Sequence, residues 1–317
     1  MAISQTSKTP AIKVIDISMR YGAQLALRHL SFEVPPGEIY GFIGPNGAGK
    51  TTTMRILATL LAPTSGEAFV FGYSSTREPD EVRRRMGFMP DVFQAYYDLS
   101  VIDYLRFFAS AYGFEFSEGD QIIADILSLT ELDNIKNKRI TGLSRGMKQR
   151  LSLARVLVHN PQVLILDEPA SGLDPRARME LQSILLELQK MGKTILISSH
   201  ILAELKEICT SIGIIEEGEM KYSGSLQRAL QTLKPYRELR IEFSGPPLEN
   251  KDVLCEYSQI VSYKWSDSSI VVQLSPSCDD VSFLPKLLID KGLRIQTISE
   301  NKLKLEELFL RMTGGED

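Results

Sequence analysis

A chain of 317 residues has the length of about two domains, and its 43% apolar and 24% charged residues are ordinary for a folded soluble protein and too apolar for a disordered one. Lys and Arg number 36 against 40 Asp and Glu, a net charge of −4, which argues against a protein that coats nucleic acid, so no nucleic-acid partner is expected. No apolar run approaches the roughly eighteen residues a membrane-spanning helix needs.

Residues 1–10 are rich in Ser and Thr without an apolar stretch, so they read as a flexible tail and not a secretion signal. A cytosolic protein is expected, one that reaches a membrane only by docking on something already there. Strands follow over Ala11–Ser18 and Ser31–Val34, then the turn Pro35-Pro36-Gly37 and the buried-strand run Glu38–Ile43. A glycine-rich loop leads into a helix from about Lys50, with Met54, Ile56, Leu57, Leu60 and Leu61 on its inner side. Strand, glycine loop and helix make half of a βαβ unit, so an α/β fold is expected.

From Asp91 to Thr141 the pattern turns helical. Ser100 and Asp103 resemble a capping box opening a helix that bears Tyr104, Leu105, Phe107 and Phe108. Ile122, Ile123, Ile126, Leu127 and Leu129 form a second apolar stripe. Two parallel-type strands come next, Val163–Leu166 and Thr194–Ser198. Between them a helix is capped by Asp174-Pro175, carries Leu181, Ile184, Leu185 and Leu188, and stops at Gly192. After Lys234-Pro235 a second module alternates strands (Leu239–Phe243, Val261–Trp265, Ile270–Leu274, Leu293–Ile298) with helices near Phe283–Lys291 and Leu303–Met312. Cys209, Cys255 and Cys278 make no C-x-x-C pair and read as buried reduced thiols. Arg83-Arg84-Arg85 reads as a solvated helix face.

Gly44-Pro45-Asn46-Gly47-Ala48-Gly49-Lys50-Thr51 satisfies G-x-x-x-x-G-K-[ST] at every fixed position. Glycines let the backbone curl so that successive N–H groups face phosphate oxygens, and the helix start adds its positive end. Lys50 supplies a mobile charge for the β- and γ-phosphates, and the Thr51 hydroxyl suits Mg²⁺; Thr52 completes the contact set. The loop therefore predicts a nucleoside triphosphate. Asp167 and Glu168 end an apolar strand, where adjacent carboxylates call for something cationic at the edge. Asp167 suits the Mg²⁺ shell, and Glu168 suits a general base that polarises the attacking water.

Leu143-Ser144-Arg145-Gly146-Met147-Lys148-Gln149-Arg150 resembles the signature sequence of ATP-binding subunits of ABC transporters, with Arg145 where glycine is common. Asp167-Glu168-Pro169, Ser171-Gly172-Leu173-Asp174 and Ser199-His200 resemble that family's further motifs in order, so the resemblance spans Ala11 to about Ser225. It implies a P-loop ABC ATPase core over residues 11–230, with a helical subdomain at about 91–160. A small α+β accessory domain over 236–317 resembles the extension of exporter-type members. It also implies two such chains sandwiching two ATP molecules, with Ser144, Gly146 and Asp174 completing the opposite site. His200 would contact the γ-phosphate, with Lys50 and Glu168 at the reacting groups. Tyr21 stands where the family keeps an adenine-stacking aromatic; a plain surface aromatic is the alternative. Asp91 departs from the family's usual glutamine, and metal sensing is its expected role.

Val92, Phe93, Tyr96 and Tyr97 either receive a helix of a membrane permease, as the resemblance implies, or fill the helical subdomain's own core. The expected function is ATP hydrolysis energising export through a separate permease at the cytoplasmic face of the membrane. The alternatives are a soluble ABC ATPase acting on ribosomes or nucleic acid, or a nucleotide-dependent regulatory module. One nucleotide domain without coiled-coil insertions disfavours the first, and Glu168 with His200 the second.

Overall fold

The computed structural model describes residues 9–300 apart from 94, 96–97, 202–204, 233–236, 245–253, 255–256, 267, 276–277 and 279. Tyr96, Tyr97, Lys234-Pro235, Cys255 and the helix expected at Leu303–Met312 lie outside the described residues. Two compact units divide the chain, Met1–Leu226 and Gln227–Asp317.

In the first unit, β1 (Ile12–Tyr21) and β2 (Gln24–Val34) form an antiparallel hairpin, joined by β4 (Ser65–Val70) and β5 (Tyr73–Ser74) in the order β2-β1-β4-β5. β2 starts seven residues earlier than its apolar alternation suggests. Register shifts after Val14, Ile17 and Met19 break the two-residue rhythm, and His29 sits at φ 49. A second sheet has the order β10-β9-β3-β8-β7-β6. Its parallel strands are β3 (Ile39–Ile43), β6 (Met86–Met89), β7 (Val163–Leu166), β8 (Thr194–Ser199) and β9 (Ser211–Glu216), with β10 (Glu219–Ser225) antiparallel at one edge. β3 and β7 are buried at every position, as strands covered on both faces must be. Ile17, Leu30, Phe42, Met54 and Leu57 fill the core shared by the two sheets and α1 (Lys50–Leu57).

Tyr40 lies fully buried there, its ring stacked on Phe32 and its hydroxyl 2.7 Å from Ser223 Oγ. Gly213 makes room for it, since a Cβ at Gly213 would sit 2.3 Å from the Tyr40 oxygen. Leu60 corrects the expected inner face of the first helix. α1 ends at Leu57, Thr59 turns to φ 60, and Leu60 is 63% exposed while Leu61 returns to the core.

The helical segment comprises α3 (Val101–Ala111), α4 (Phe116–Leu129) and α5 (Arg145–Leu157). Ser100 caps α3 by accepting from the Asp103 N–H. Phe107, expected on the apolar stripe, is half exposed, because Val101, Tyr104, Leu105 and Ala109 already fill the buried face. Phe93 tilts against Tyr104 at 6.2 Å, whereas Val92 is exposed. Arg83 and Arg84 of α2 (Pro79–Arg85) face solvent as expected, but Arg85 does not. It packs 4.0 Å over the Tyr73 ring and pairs with Glu81. α6 (Pro175–Lys190) buries Leu181, Ile184, Leu185 and Leu188, and Gly192 beyond it has φ 84. A short helix, α7 (Leu226–Thr232), follows β10.

In the second unit β11 (Arg237–Ser244), β12 (Ile260–Trp265), β13 (Ser269–Leu274) and β14 (Arg294–Glu300) form an antiparallel sheet ordered β12-β13-β11-β14. α8 (Phe283–Asp290) contributes Leu284 and Leu288 to the core that Ile241, Phe243, Ile270 and Val272 make with it. Cys209 and Cys278 are buried free thiols.

Candidate active site

The carboxyl ends of β3, β7 and β8 lie side by side. Their registers set Ile43 beside Ser199 and Leu166 beside Ile197, so whatever follows each strand converges on one crevice, the usual ligand position in such sheets. Residues 44–49 follow β3 and feed α1. Gly47 and Gly49 take φ 84 and φ 106, a left-handed backbone that side chains resist. A Cβ at Gly49 would also sit 2.5 Å from Leu27 Cδ2. Gly44 and Ala48 support the loop from beneath; Ala48 is buried, and a Cβ at Gly44 would meet the Ile215 carbonyl at 2.3 Å.

The loop encloses a cleft of about 200 Å³, bounded by residues 45–47 and 49–52 with Ala26, Asp91 and Glu168. Lys50 is buried to 5% exposure, and its Nζ donates to the carbonyls of Gly44 (2.7 Å) and Pro45 (3.2 Å). That ammonium also lies 3.4 Å from Glu168 Oε1. No side chain caps the N-terminus of α1, leaving its first N–H groups facing the loop.

Asp167, 1% exposed, has both carboxylate oxygens engaged by hydroxyls. Thr51 Oγ1 donates to Oδ2 at 2.8 Å, and Ser198 Oγ donates to Oδ1 at 2.7 Å. Its N–H donates to the Met89 carbonyl, which fixes it against β6. Glu168 departs into a left-handed turn at φ 48, a conformation that costs a residue with a Cβ about 1–2 kcal/mol. Its N–H donates to Ser198 Oγ at 2.8 Å, and its Oε2 lies 2.8 Å from His200 Nδ1. Glu168 Oε1 is buried and accepts no hydrogen bond. A carboxylate oxygen with no hydrogen bond and a buried ammonium 3.4 Å from it thus share the cleft, with the fixed Asp167 carboxylate beside Thr51 behind them. Chemically, Thr51 and Asp167 offer a hard cation two converging oxygens, enough for Mg²⁺, which takes one or two protein ligands and completes its shell with water and phosphate.

Ser198 carries a role that motif reading did not find. Its signal was a serine one step past the pairing of Leu166 with Ile197, visible only once β7 and β8 are known to be neighbours.

The remaining expected residues occupy other places. Tyr21 ends β1 at the hairpin tip, 47% exposed and outside the cleft, on the ribbon whose second strand brings Ala26 to the rim. Asp91 forms part of the cleft rim. Partial burial, then the Asp167 and Glu168 carboxylates, push its carboxyl above the usual range, against Arg145 and His200. Ser144 caps α5 by accepting from the Met147 N–H. Gly146 allows α5 to approach α6, since a Cβ there would sit 2.9 Å from Ala177 Cβ. Asp174 caps α6 through the Ala177 N–H at 2.9 Å. Ser144, Gly146 and Asp174 do not line the cleft of their own chain. Neither His29, paired with Asp16 on the surface, nor His159, stacked on Tyr112, belongs to the site.

The ABC transporter family profile matches residues 27–171. The chain is 34% identical over 307 residues to the bacitracin transport ATP-binding protein BcrA of Bacillus licheniformis, covering 96% of this chain and 97% of that one. It is 34% identical over 305 residues to the Nod factor export ATP-binding protein I of Burkholderia orbicola, covering 95% and 96%. A solved ATP-binding subunit of an ABC transporter matches with a TM-score of 0.64 at 32% identity, over 70% of this chain and 92% of that one. The cbiO1 protein of Clostridium perfringens, described as part of the ABC transporter complex cbiONQ, matches with a TM-score of 0.64 at 28% identity, over 70% and 91%. With glycine loop, paired acids and histidine gathered at three adjacent strand ends and relatives matching nearly end to end, this chain belongs to the ABC transporter ATP-binding subunits, the ATPases that hydrolyse ATP to drive transport.

Proposed function

We propose that two copies of this subunit close over two Mg²⁺-bound ATP molecules and that the cycle of closure and hydrolysis energises export through a separate membrane permease, docked at the cytoplasmic face. Lys50, Thr51 and Glu168 on one cleft, with Asp167 bonded to Thr51 and His200 to Glu168, carry the hydrolytic part. The export part rests on relatives named for bacitracin transport and Nod factor export. Among the described residues no helix is long and apolar enough to cross a membrane, which fits a subunit that works with a separate membrane component.

The loop N–H groups and the start of α1 receive phosphate oxygens, while Lys50 swings from the Gly44 and Pro45 carbonyls to the β- and γ-phosphates. When bound, Mg²⁺ neutralises the charge that develops on the phosphoryl oxygens. Thr51 and Asp167 would hold it. Glu168 Oε1, freed from Lys50, accepts a proton from the attacking water, and His200 keeps the carboxylate oriented through Oε2. Tyr21 stacks on adenine beyond the rim, and Asp91 senses the state of the metal shell from it.

Ser144, Gly146 and Asp174 are turned to the partner copy's nucleotide, which fits their absence from their own cleft. Ser144→Arg tests this. Steady-state phosphate release should fall by 10²-fold or more with ATP affinity of the monomer intact, and light scattering should show no ATP-dependent dimer, since a misplaced group costs about that factor. A Ser144→Arg protein that hydrolyses ATP at the native rate as a strict monomer overturns the proposal.

A further inference from the structure

We propose that Ser198 is a positioning residue that holds both carboxylates of the hydrolytic site from a neighbouring strand; this rests on the Mg²⁺-ATP reading above. One hydroxyl makes two bonds here. It donates to Asp167 Oδ1 at 2.7 Å and accepts from the Glu168 N–H at 2.8 Å. Ser198 is 1% exposed and Asp167 likewise, so removing the hydroxyl takes from a buried carboxylate oxygen and from the Glu168 amide the partner each has here.

The geometry explains why a hydroxyl is needed at this place. Asp167 Oδ2 is taken by Thr51, which leaves the carboxylate free to rotate about its Cβ–Cγ bond unless Oδ1 is held as well. Glu168, one residue on, sits at φ 48, a left-handed backbone that relaxes unless something over-determines it. Its N–H has the Ser198 oxygen as partner. Two residues further along the same chain, His200 holds the Glu168 side chain through Oε2 at 2.8 Å. The end of β8 therefore fixes the metal-side carboxylate, the backbone of the base and the side chain of the base together. Outer partners of this kind are worth about 10- to 100-fold in metal affinity or activity.

The test compares native protein, Ser198→Ala and Ser198→Thr. A fluorescent ATP analogue is titrated with and without Mg²⁺, alongside steady-state phosphate release and thermal melting. For Ser198→Ala the affinity without Mg²⁺ stays within about two-fold of native, the strengthening that Mg²⁺ gives native protein shrinks by about ten-fold or more, and kcat falls by about 10- to 100-fold. Ser198→Thr, which keeps the hydroxyl, stays within about three-fold on all three readings. Loss of folding alone would weaken both titrations equally and be visible in the melt, and it would overturn the proposal. So would a Ser198→Ala protein with native kcat and native Mg²⁺ dependence, or equal losses in Ala and Thr. Failure of the native protein to release phosphate with Mg²⁺ would instead refute the underlying hydrolytic reading.

Discussion

Replacing Glu168 by Gln separates proton acceptance from every other property of the side chain. The amide keeps the size of the carboxylate. Its oxygen can stay 3.4 Å from Lys50 Nζ, and its NH₂ can donate to His200 Nδ1, which lies 2.8 Å from Oε2. What disappears is a group able to take the water's proton, worth about 10²- to 10⁴-fold, or about 2.7–5.4 kcal/mol at about 1.36 kcal/mol per decade. Lys50 also loses a competitor. At 3.4 Å and an effective dielectric of about 20, the gross attraction between the charges is about 5 kcal/mol, much of it offset by desolvation. Freed of that attraction, the ammonium is more available to phosphate, so ATP should bind at least as tightly as to the native protein. Single-turnover phosphate release and titration with a fluorescent ATP analogue measure the two effects, and light scattering follows dimer accumulation on adding ATP. Lys50→Ala is the contrast, because it should fail at nucleotide capture. A Glu168→Gln protein that turns over within ten-fold of native, or that loses ATP binding together with turnover, refutes the assignment of Glu168 as the base.

Two further predictions concern stability. Gly213→Ala drives a methyl to 2.3 Å from the buried Tyr40 hydroxyl and should cost about 1–3 kcal/mol through overpacking, lowering the melting temperature by several degrees while ATP affinity at 25 °C holds; native melting would disprove the packing argument. Burial holds His159 below the usual imidazole range despite its bond to the Met86 carbonyl, with Lys193 and Arg155 adding to the effect. The unfolded chain then binds the extra proton, so stability is full above about pH 6.5 and is lost as pH falls through that value toward the lowered one. Urea midpoints of native protein should fall in that window more steeply than those of His159→Gln, and a difference independent of pH would refute it.

The parts of the site legible in the sequence are those whose chemistry constrains consecutive residues. The loop from Gly44 to Thr51 needs glycine where φ is positive and a buried lysine beside them, so its pattern survives without knowledge of the fold. Asp167-Glu168 was legible for the same reason, at the end of a strand with no exposed position. Ser198 was not, because its meaning depends on β8 lying beside β7 in a sheet whose order departs from chain order. Leu60 misled for a local reason, the left-handed turn at Thr59 that ends the helical rhythm before it. β4, β5 and β6 escaped notice because they are short, and β4 is half exposed, so apolar periodicity had few residues to act on. α2 was legible only as a run of arginines, because a single buried residue, Val82, anchors it.

The proposed dimer gains physical content from the stretch between Glu168 and Asp174. Ser171 N–H bonds back to the Glu168 carbonyl at 3.0 Å, and Leu173 N–H to the Ala170 carbonyl at 3.2 Å, so Glu168 and the cap of α6 are joined by a hydrogen-bonded turn and not by slack chain. Arg145, at the start of α5, lies across that turn; its guanidinium carbon would be 2.5 Å from a Cβ on Gly172. Lower down, Arg150 of α5 pairs with Glu131 at 2.9 Å and reaches Glu180 of α6 at 3.5 Å. The signature helix, the turn and α6 are thus braced together within one copy. A partner phosphate meeting Ser144 and Gly146 would press on this brace, and the turn would carry the displacement to Glu168 of the same chain. In the proposed dimer each nucleotide would then report its presence to Glu168 of the other site, which would give paired closure a physical route to precede bond breaking.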